Sequence, residues 1–411
     1  MKYLFQLDTL FATLFIFLVI GLIGSINIGS SAEGLDPISD ALKDFESTDI
    51  VYNSLRAPED IPVDTNVILV NIGEVNRATI AKQIEILNQY KPKVMAMDIR
   101  FIKDKTPDQD FPLMMAFAQV ENLVLGARMY EADTAEDLTW HNLETSNPKF
   151  TQYGTNAFVN VYTGDENGGG FRTTRSFIPK ARLGDSTFWS FPAKIVELYQ
   201  PEKFEVLKNR VQVKEVINWK GNINPDDFMK NKFMVLDVDD VLNENFDGEM
   251  IKGKILLFGF MGRHLRDEFL IDDKFYTPLN EQLAGRAYPD MYGVVVHANV
   301  ISMILREDYI NYLPGFLNAL VAFILTYLNV ALFLFIADKA KIYYDLITKG
   351  WQIIEAIALL GIAVIVMHKY QLKFEFTFAL IAILLSGDLT ELYAGSVRDL
   401  FIKGFKKLGL A

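Results

Sequence analysis

NVILVNIGEVNRATIAKQIEILNQYKPKVMAMDIRF, residues 66–101, is the stretch whose reading decides the fold of the central part of this chain. Val67-Ile68-Leu69-Val70-Asn71-Ile72 is β-branched and almost continuously apolar, the pattern of a strand buried on both faces. The residues that follow put Ile80, Ile84 and Leu87 on one helical stripe, with Lys82, Gln83 and Glu85 turned away. Pro92 closes the connection, and Val94 to Phe101 reads as the next strand. The simplest packing is a right-handed βαβ unit whose two strands pair in parallel.

Working outward, Phe111 to Gln119 has a helical pattern and Asn122 to Ala127 is a further strand. Lys254 to Phe260 (KILLFGF) is a strand opening into Gly262, and Val294 to Leu305 reads as a helix. Ala157 to Asn160 and Phe171 to Pro179 flank a glycine-rich turn, Asn167-Gly168-Gly169-Gly170, which suggests an inserted hairpin or loop. The expectation is an α/β domain with a mostly parallel central sheet over residues 29–312.

Half of the 411 residues are apolar, 31 of them phenylalanine, and the excess lies at the two ends of the chain. Leu10 to Ile28 carries no charge, and its nineteen residues would rise roughly 28 Å as a helix, about the thickness of a bilayer core. Ser30-Ser31-Ala32 resembles a signal-peptide cleavage site, but the apolar run is long and only Lys2 precedes it, which favours a retained anchor. Three more spans read as Leu313 to Ile336, Trp351 to Met367 and Phe374 to Leu392. Lys339, Lys341 and Lys349 lie in the 337–350 connection, and Arg398, Lys403, Lys406 and Lys407 follow the last span. The positive-inside rule puts both of these, and the N-terminus 1–9, in the cytoplasm of a bacterial inner membrane, with residues 29–312 periplasmic. His368, Lys369 and Lys373 in the outer turn weaken that bias without reversing it.

A net charge of −12 argues against nucleic acid as a partner. The absence of cysteine removes disulfides, thiolate metal sites and cysteine nucleophiles together. His141, His264, His297 and His368 are far apart in sequence and show no metal-binding spacing. Gly259-Phe260-Met261-Gly262 lacks the third glycine and the Lys-Ser/Thr of a phosphate loop, and no Gly-x-Ser-x-Gly elbow occurs. The expectation is a non-enzymatic protein without metal or cofactor.

Several blocks in order resemble the type-two CHASE domain (cyclases/histidine kinases associated sensing extracellular). Thr48-Asp49-Ile50-Val51-Tyr52 with Arg56 is similar to its opening, and Val67 to Ile72 followed by Met97-Asp98-Ile99-Arg100-Phe101 to its next strands. Ala157-Phe158-Val159-Asn160 and Gly170-Phe171-Arg172 are similar to a degenerate middle block. Gly253 to Gly259, Asp267, Thr277-Pro278 and Gly293 to Asn299 resemble the closing block. The resemblance spans nearly all of 45–312 and implies an extracytoplasmic sensing or interaction role. Chains of that family usually continue into a cytoplasmic output domain. The short segment after the last span here leads to the expectation that a signal passes to a separate membrane or envelope protein.

Asp98 stands at the end of one expected strand, Gly259 to Asp267 leave another, and His297 begins a helix. Ligands of open parallel sheets gather beyond the strand ends, so Asp98, Arg100, Asp267 and His297 are candidates for a periplasmic ligand site. The bland alternative is favoured: Asp98 caps neighbouring backbone and His297 is a satisfied interior group. In the membrane, Asn318 and Asn329 share a helix face, and Glu355 and Asp388 either meet and share a proton or sit separately at headgroup level. Lys403, Phe405, Lys406 and Lys407 belong to a basic amphipathic tail suited to lipid or a partner. The expected role is a sensor or signalling-complex subunit; the alternative is a structural or assembly subunit of an envelope complex that senses nothing.

Overall fold

The computed structural model describes residues 2–25, 47–56, 61–132, 139–163, 173–210, 212–265, 273–280, 288–374 and 376–398. Two compact units emerge, Thr48–Ile310 and the remainder, Met1–Ser47 with Asn311–Ala411. The remainder begins with helix α1 (Leu7–Ser25).

The Thr48–Ile310 unit alternates strands and helices. In chain order come β1 (Asp64–Asn71), α2 (Arg77–Asn88), β2 (Val94–Met97), α3 (Pro107–Ala118), β3 (Leu123–Ala132), β4 (Thr139–Glu144) and β5 (Thr155–Phe158). After them follow β6 (Lys180–Leu183), β7 (Ser186–Trp189), α4 (Phe191–Tyr199), β8 (Phe233–Leu236), β9 (Ile255–Gly259) and α5 (Gly293–Arg306). These nine strands form one sheet in the order β8-β1-β9-β2-β3, extended through β4 to β6 and β7, with β5 also on β3. The pairs from β8 to β3, and β3 with β5, are all parallel. Antiparallel pairing occurs where β3 meets β4 and β6 meets β7. The central sheet is therefore mostly parallel.

The simple βαβ pairing is corrected by this order. β1 and β2 run parallel but do not touch, because β9 lies between them, with Leu257 opposite Leu69 on one side and Ala96 on the other. All five residues of β9 are buried. A strand that apolar takes the centre of the sheet however late it comes in the chain, and local alternation cannot reveal that insertion.

Ile68, Val70, Met95, Met97, Leu256 and Phe258 enter one core with the expected stripe of α2 and with Leu113 and Phe117 of α3. Each such large side chain contributes about 1.5–3 kcal/mol by leaving water. The intervening Val67, Leu69, Ala96 and Leu257 are equally buried, on the face that α4 and α5 cover. Asn76 caps α2 by accepting from the Thr79 N–H at 2.9 Å. Gln83, expected to face away, is instead fully buried and donates to the Asn71 carbonyl at 3.0 Å. A side-chain amide that supplies a strand-end acceptor can occupy the apolar stripe.

Helix α5 is buried from Gly293 to Leu305, polar residues included. Its close seat requires glycine at the end of β9: a Cβ at Gly259 would lie 2.6 Å from a Val294 methyl. Asn299 accepts from the Lys220 and Gly221 N–H groups and donates to the Gly221 and Val295 carbonyls. The glycine-rich turn 167–170 lies outside the described residues, and Ser176–Phe177 beyond it pairs antiparallel with Glu215–Val216.

The second unit holds α6 (Gly315–Lys339), α7 (Tyr344–Tyr370) and α8 (Thr377–Leu392). These three regions are long and apolar enough to cross a membrane, whereas α1 is a shorter apolar helix. Helix α7 starts at Tyr344, inside the expected 337–350 connection, because helix formation does not end where hydropathy falls. Ala12, Ile16 and Ile20 of α1 pack with Val330 of α6 and Ala382 of α8. At one end of this bundle Tyr327 donates to the Leu4 carbonyl at 2.7 Å, Asp8 pairs with Arg398, and Lys349 pairs with Asp388 at 2.6 Å. At the other end Asn311–Tyr312 pairs in parallel with Leu372–Lys373. Successive helices therefore alternate in direction.

Candidate functional site

A cavity of about 320 Å³ opens at the carboxyl ends of β2 and β5, where β3 exchanges one partner for another. β3 pairs with β5 through Ala127 and with β4 from Arg128 onward. The two neighbours diverge at that point, and the gap between them becomes the cavity. Glycine at 126 lets the floor close up, since a Cβ there would lie 3.0 Å from both the Met97 carbonyl and a Val159 methyl. Asn160 ends β5 by exchanging two hydrogen bonds with the Met129 backbone, at 2.8 and 2.9 Å. Its side chain is thereby used as structure.

Asp98, Arg100, Arg128, Asp273 and His297 bring the ionisable groups to the wall. The Asp98 backbone N–H continues the ladder by donating to the Phe258 carbonyl at 2.8 Å. Its side chain is 11% exposed, and among the described residues it makes no hydrogen bond. The carboxyl thus opens onto the cavity and does not cap backbone. Arg100 is held by Glu144 and by the Tyr130 hydroxyl, which accepts from it at 3.0 Å. His297 occupies the second turn of α5 with its ring edge-on to Phe191, centroids 5.4 Å apart. Arg128 is exposed at the rim, its guanidinium 5.2 Å from the Tyr130 ring centre.

Burial, reinforced by the Asp273 charge and opposed by Arg100, pushes the Asp98 carboxyl up to about 8. Burial also pulls the His297 imidazole down to about 4, against a backbone hydrogen bond at Val159. At neutral pH the pair is therefore a carboxylic acid facing a neutral imidazole. Their separation of 3.8 Å is too long for a hydrogen bond. A protonated carboxyl that makes no hydrogen bond to the described residues can donate as well as accept, and Arg128 adds a cation at the mouth. Such a wall suits a small polar molecule bearing an acceptor and an anionic group. Among the described residues no group of three His, Asp or Glu side chains is arranged to hold a metal.

Three of the four expected site residues, Asp98, Arg100 and His297, share this cavity. The fourth, Asp267, lies outside the described residues. Arg128 and Asp273 were not legible: an arginine in a strand reads as a solvated side chain, and Asp273 is set by the ribbon pairing Lys274–Phe275 with Met291–Tyr292. In the bundle of apolar helices, Asn318 and Asn329 are both buried. Asn329 donates to Glu355 at 2.6 Å and accepts from Trp351 at 3.0 Å, while Asp388 pairs with Lys349. Glu355 and Asp388 are thus given separate partners, and no proton is shared between them. Lys403, Phe405, Lys406 and Lys407 lie outside the described residues.

A family model described as the CHASE2 domain matches residues 55–336. No curated protein and no solved structure matches the chain.

Proposed function

The chain belongs to the CHASE2 domain family, and from that premise we propose that it is a non-enzymatic membrane sensor whose Thr48–Ile310 domain binds a small polar ligand outside the cytoplasm. The observation that carries this reading is the largely buried Asp98 carboxyl, which makes no hydrogen bond among the described residues and faces His297 in a cavity at the ends of parallel strands. A fold spends stability on burying such a group, and a ligand that completes its hydrogen bonding recovers it.

The anchor in this reading has four spans, α1 included. Its supports are the packing of α1 into the bundle and the alternation of helix direction, which brings the chain out after α1 and back at Asn311 on one side. Lys339, Lys341, Lys349 and Arg398 at the opposite end support a cytoplasmic face there, in a bacterial inner membrane. The signal leaves through the bundle to a partner membrane protein. For that, the ligand must favour one of two arrangements of the helices.

Two measurements test the proposal. The chain has no cysteine, so single cysteines report topology directly. Lys208→Cys in intact spheroplasts should react with a membrane-impermeant maleimide, and Ile342→Cys only after lysis. The opposite pattern inverts the topology and removes the sensor reading. Thermal unfolding of the full chain in nanodiscs should respond to at least one of a panel of amino acids, dicarboxylates and sugar phosphates. For at least one member the response should be lost in Asp98→Asn and weakened in Arg128→Ala; no response across the panel, or responses to every member that are equal in Asp98→Asn, sinks the ligand site.

A further inference from the structure

The same domain contains a second cavity, of about 510 Å³, that shares no lining residue with the first. Tyr52, Arg56, Lys220, Lys232 and Asp290 are on its wall, and Lys230 stands at its exposed mouth. Two of these cations are already matched. Lys220 lies 3.3 Å from Asp64, and Lys230 lies 3.7 Å from Asp227.

The other two are not. Lys232 is only 7% exposed, and among the described residues the one hydrogen bond of its ammonium group goes to the Ile61 carbonyl, at 2.9 Å. Arg56 donates through one nitrogen to the Asn218 side-chain oxygen and the Trp219 carbonyl, at 2.8 and 2.7 Å, with its guanidinium 5.6 Å from the Tyr52 ring centre. Among the described residues no carboxylate lies within ion-pair distance of either. Asp290 does not serve as a counter-charge: its two oxygens accept from the Thr277 N–H and hydroxyl at 2.8 and 2.6 Å, and it sits no closer to them than that ion-pair limit. Among the described residues, then, the buried Lys232 ammonium and the partly buried Arg56 guanidinium are bonded only to neutral acceptors, and a buried charge gains most from an opposite one.

We propose that this cavity is a second binding site, taking a small soluble oxyanion, carboxylate or phosphate, held between Lys232 and Arg56. An oxyanion supplies what both side chains lack. It accepts the spare ammonium hydrogens of Lys232, and it can face the unused edge of the Arg56 fork. The cavity has room for a ligand of several carbons around that group, and Tyr52 and Leu279 offer apolar contact. The site is independent of the Asp98 cavity and stands or falls without it.

Calorimetric titration of the full chain in nanodiscs, in low-chloride buffer, tests this with inorganic phosphate in one arm and succinate in the other. One saturable site is expected in at least one arm, and the arm that responds identifies the oxyanion. Binding should weaken at least tenfold in Lys232→Met and in Arg56→Gln, and should be unchanged in Asp98→Asn. Thermal unfolding of each variant verifies that it is folded, and two independent variants guard against one misfolding. No saturable binding in either arm overturns the proposal. Undiminished binding in both variants overturns it too, as does loss confined to Asp98→Asn, which would move the anion to the other cavity.

Discussion

The cavity at Asp98 and the cavity at Lys232 lie in one α/β domain and treat buried ionisable groups in opposite ways. In the first, an acid and an imidazole are pushed towards their neutral forms by burial, so neither needs a counter-charge. In the second, Lys220 is matched with Asp64 at a depth where both side chains are 2% exposed, while among the described residues Lys232 and Arg56 meet only neutral acceptors. The lesson is that burial alone does not identify a site. What distinguishes one is a buried polar group whose bonding is left incomplete on a cavity wall, whichever sign its charge would have.

Four substitutions sharpen or break that contrast. The largest effect is expected from Asp64→Ala. Burial by itself would raise Asp64, but the Ser302 hydrogen bond and Lys220 hold it below the ordinary carboxylate range. Removing it strands Lys220 and should cost about 3–5 kcal/mol in chemical denaturation of the full chain. A loss under about 1 kcal/mol would mean that water reaches the pair.

Next comes the pH dependence owed to Asp98. Its folded pKa, about 8, is raised above the unfolded value of 3.8, so the folded chain holds a proton that the unfolded chain releases. The contribution is full below about pH 4 and is lost as pH rises through 8. His297 acts with the opposite sign: its folded pKa, about 4, lies below 6.5, so its contribution is lost as pH falls through that interval. The two offset one another between the acid range and pH 6.5, and Asp98 alone acts above it. The stability of the parent minus that of Asp98→Asn should fall with rising pH from about 5 to 7, approaching about 1.4 kcal/mol per pH unit. A flat difference would show that Asp98 is ionised when folded.

Smaller again is Gly126→Ala, whose new methyl would meet the Met97 carbonyl and Val159 at 3.0 Å. It should lower stability by about 1–3 kcal/mol and weaken any ligand of the first cavity while leaving the second unaffected. The smallest effect belongs to Lys232→Met. Without an anion only the Ile61 carbonyl loses a donor, a cost of about 1 kcal/mol. Should that variant fall as far as Asp64→Ala, Lys232 is not the unmatched cation described above.

The element types were legible because they depend on local pattern. The β-branched run at Val67 to Ile72, the stripe Ile80, Ile84, Leu87 and the apolar strand ending in Gly259 each carry their own periodicity. Gln83 was misread because its value as a donor depends on the Asn71 carbonyl of a neighbouring strand. For Glu355 and Asp388 the sequence left open whether they meet or sit separately, since their partners Asn329 and Lys349 come from helix register that hydropathy does not encode. Asp98, Arg100 and His297 were grouped by the rule that ligands gather at strand ends, and they do line one cavity. Arg128 and Asp273 escaped it because they reach the cavity from within a strand and from a ribbon.

By itself the sequence determined what kind of surface each segment needs: lipid for the apolar helices, burial on both faces for the central strands, and no thiolate anywhere. Hydropathy, charge and periodicity are properties of neighbours along the chain, so they survive without any fold. Only the tertiary structure decided that β9 separates β1 from β2, that Asp98 faces His297, and that the Lys232 ammonium meets the Ile61 carbonyl. Those facts depend on which distant segments exclude water from the same few ångströms, and solvent exclusion is a property of packing that no local pattern contains.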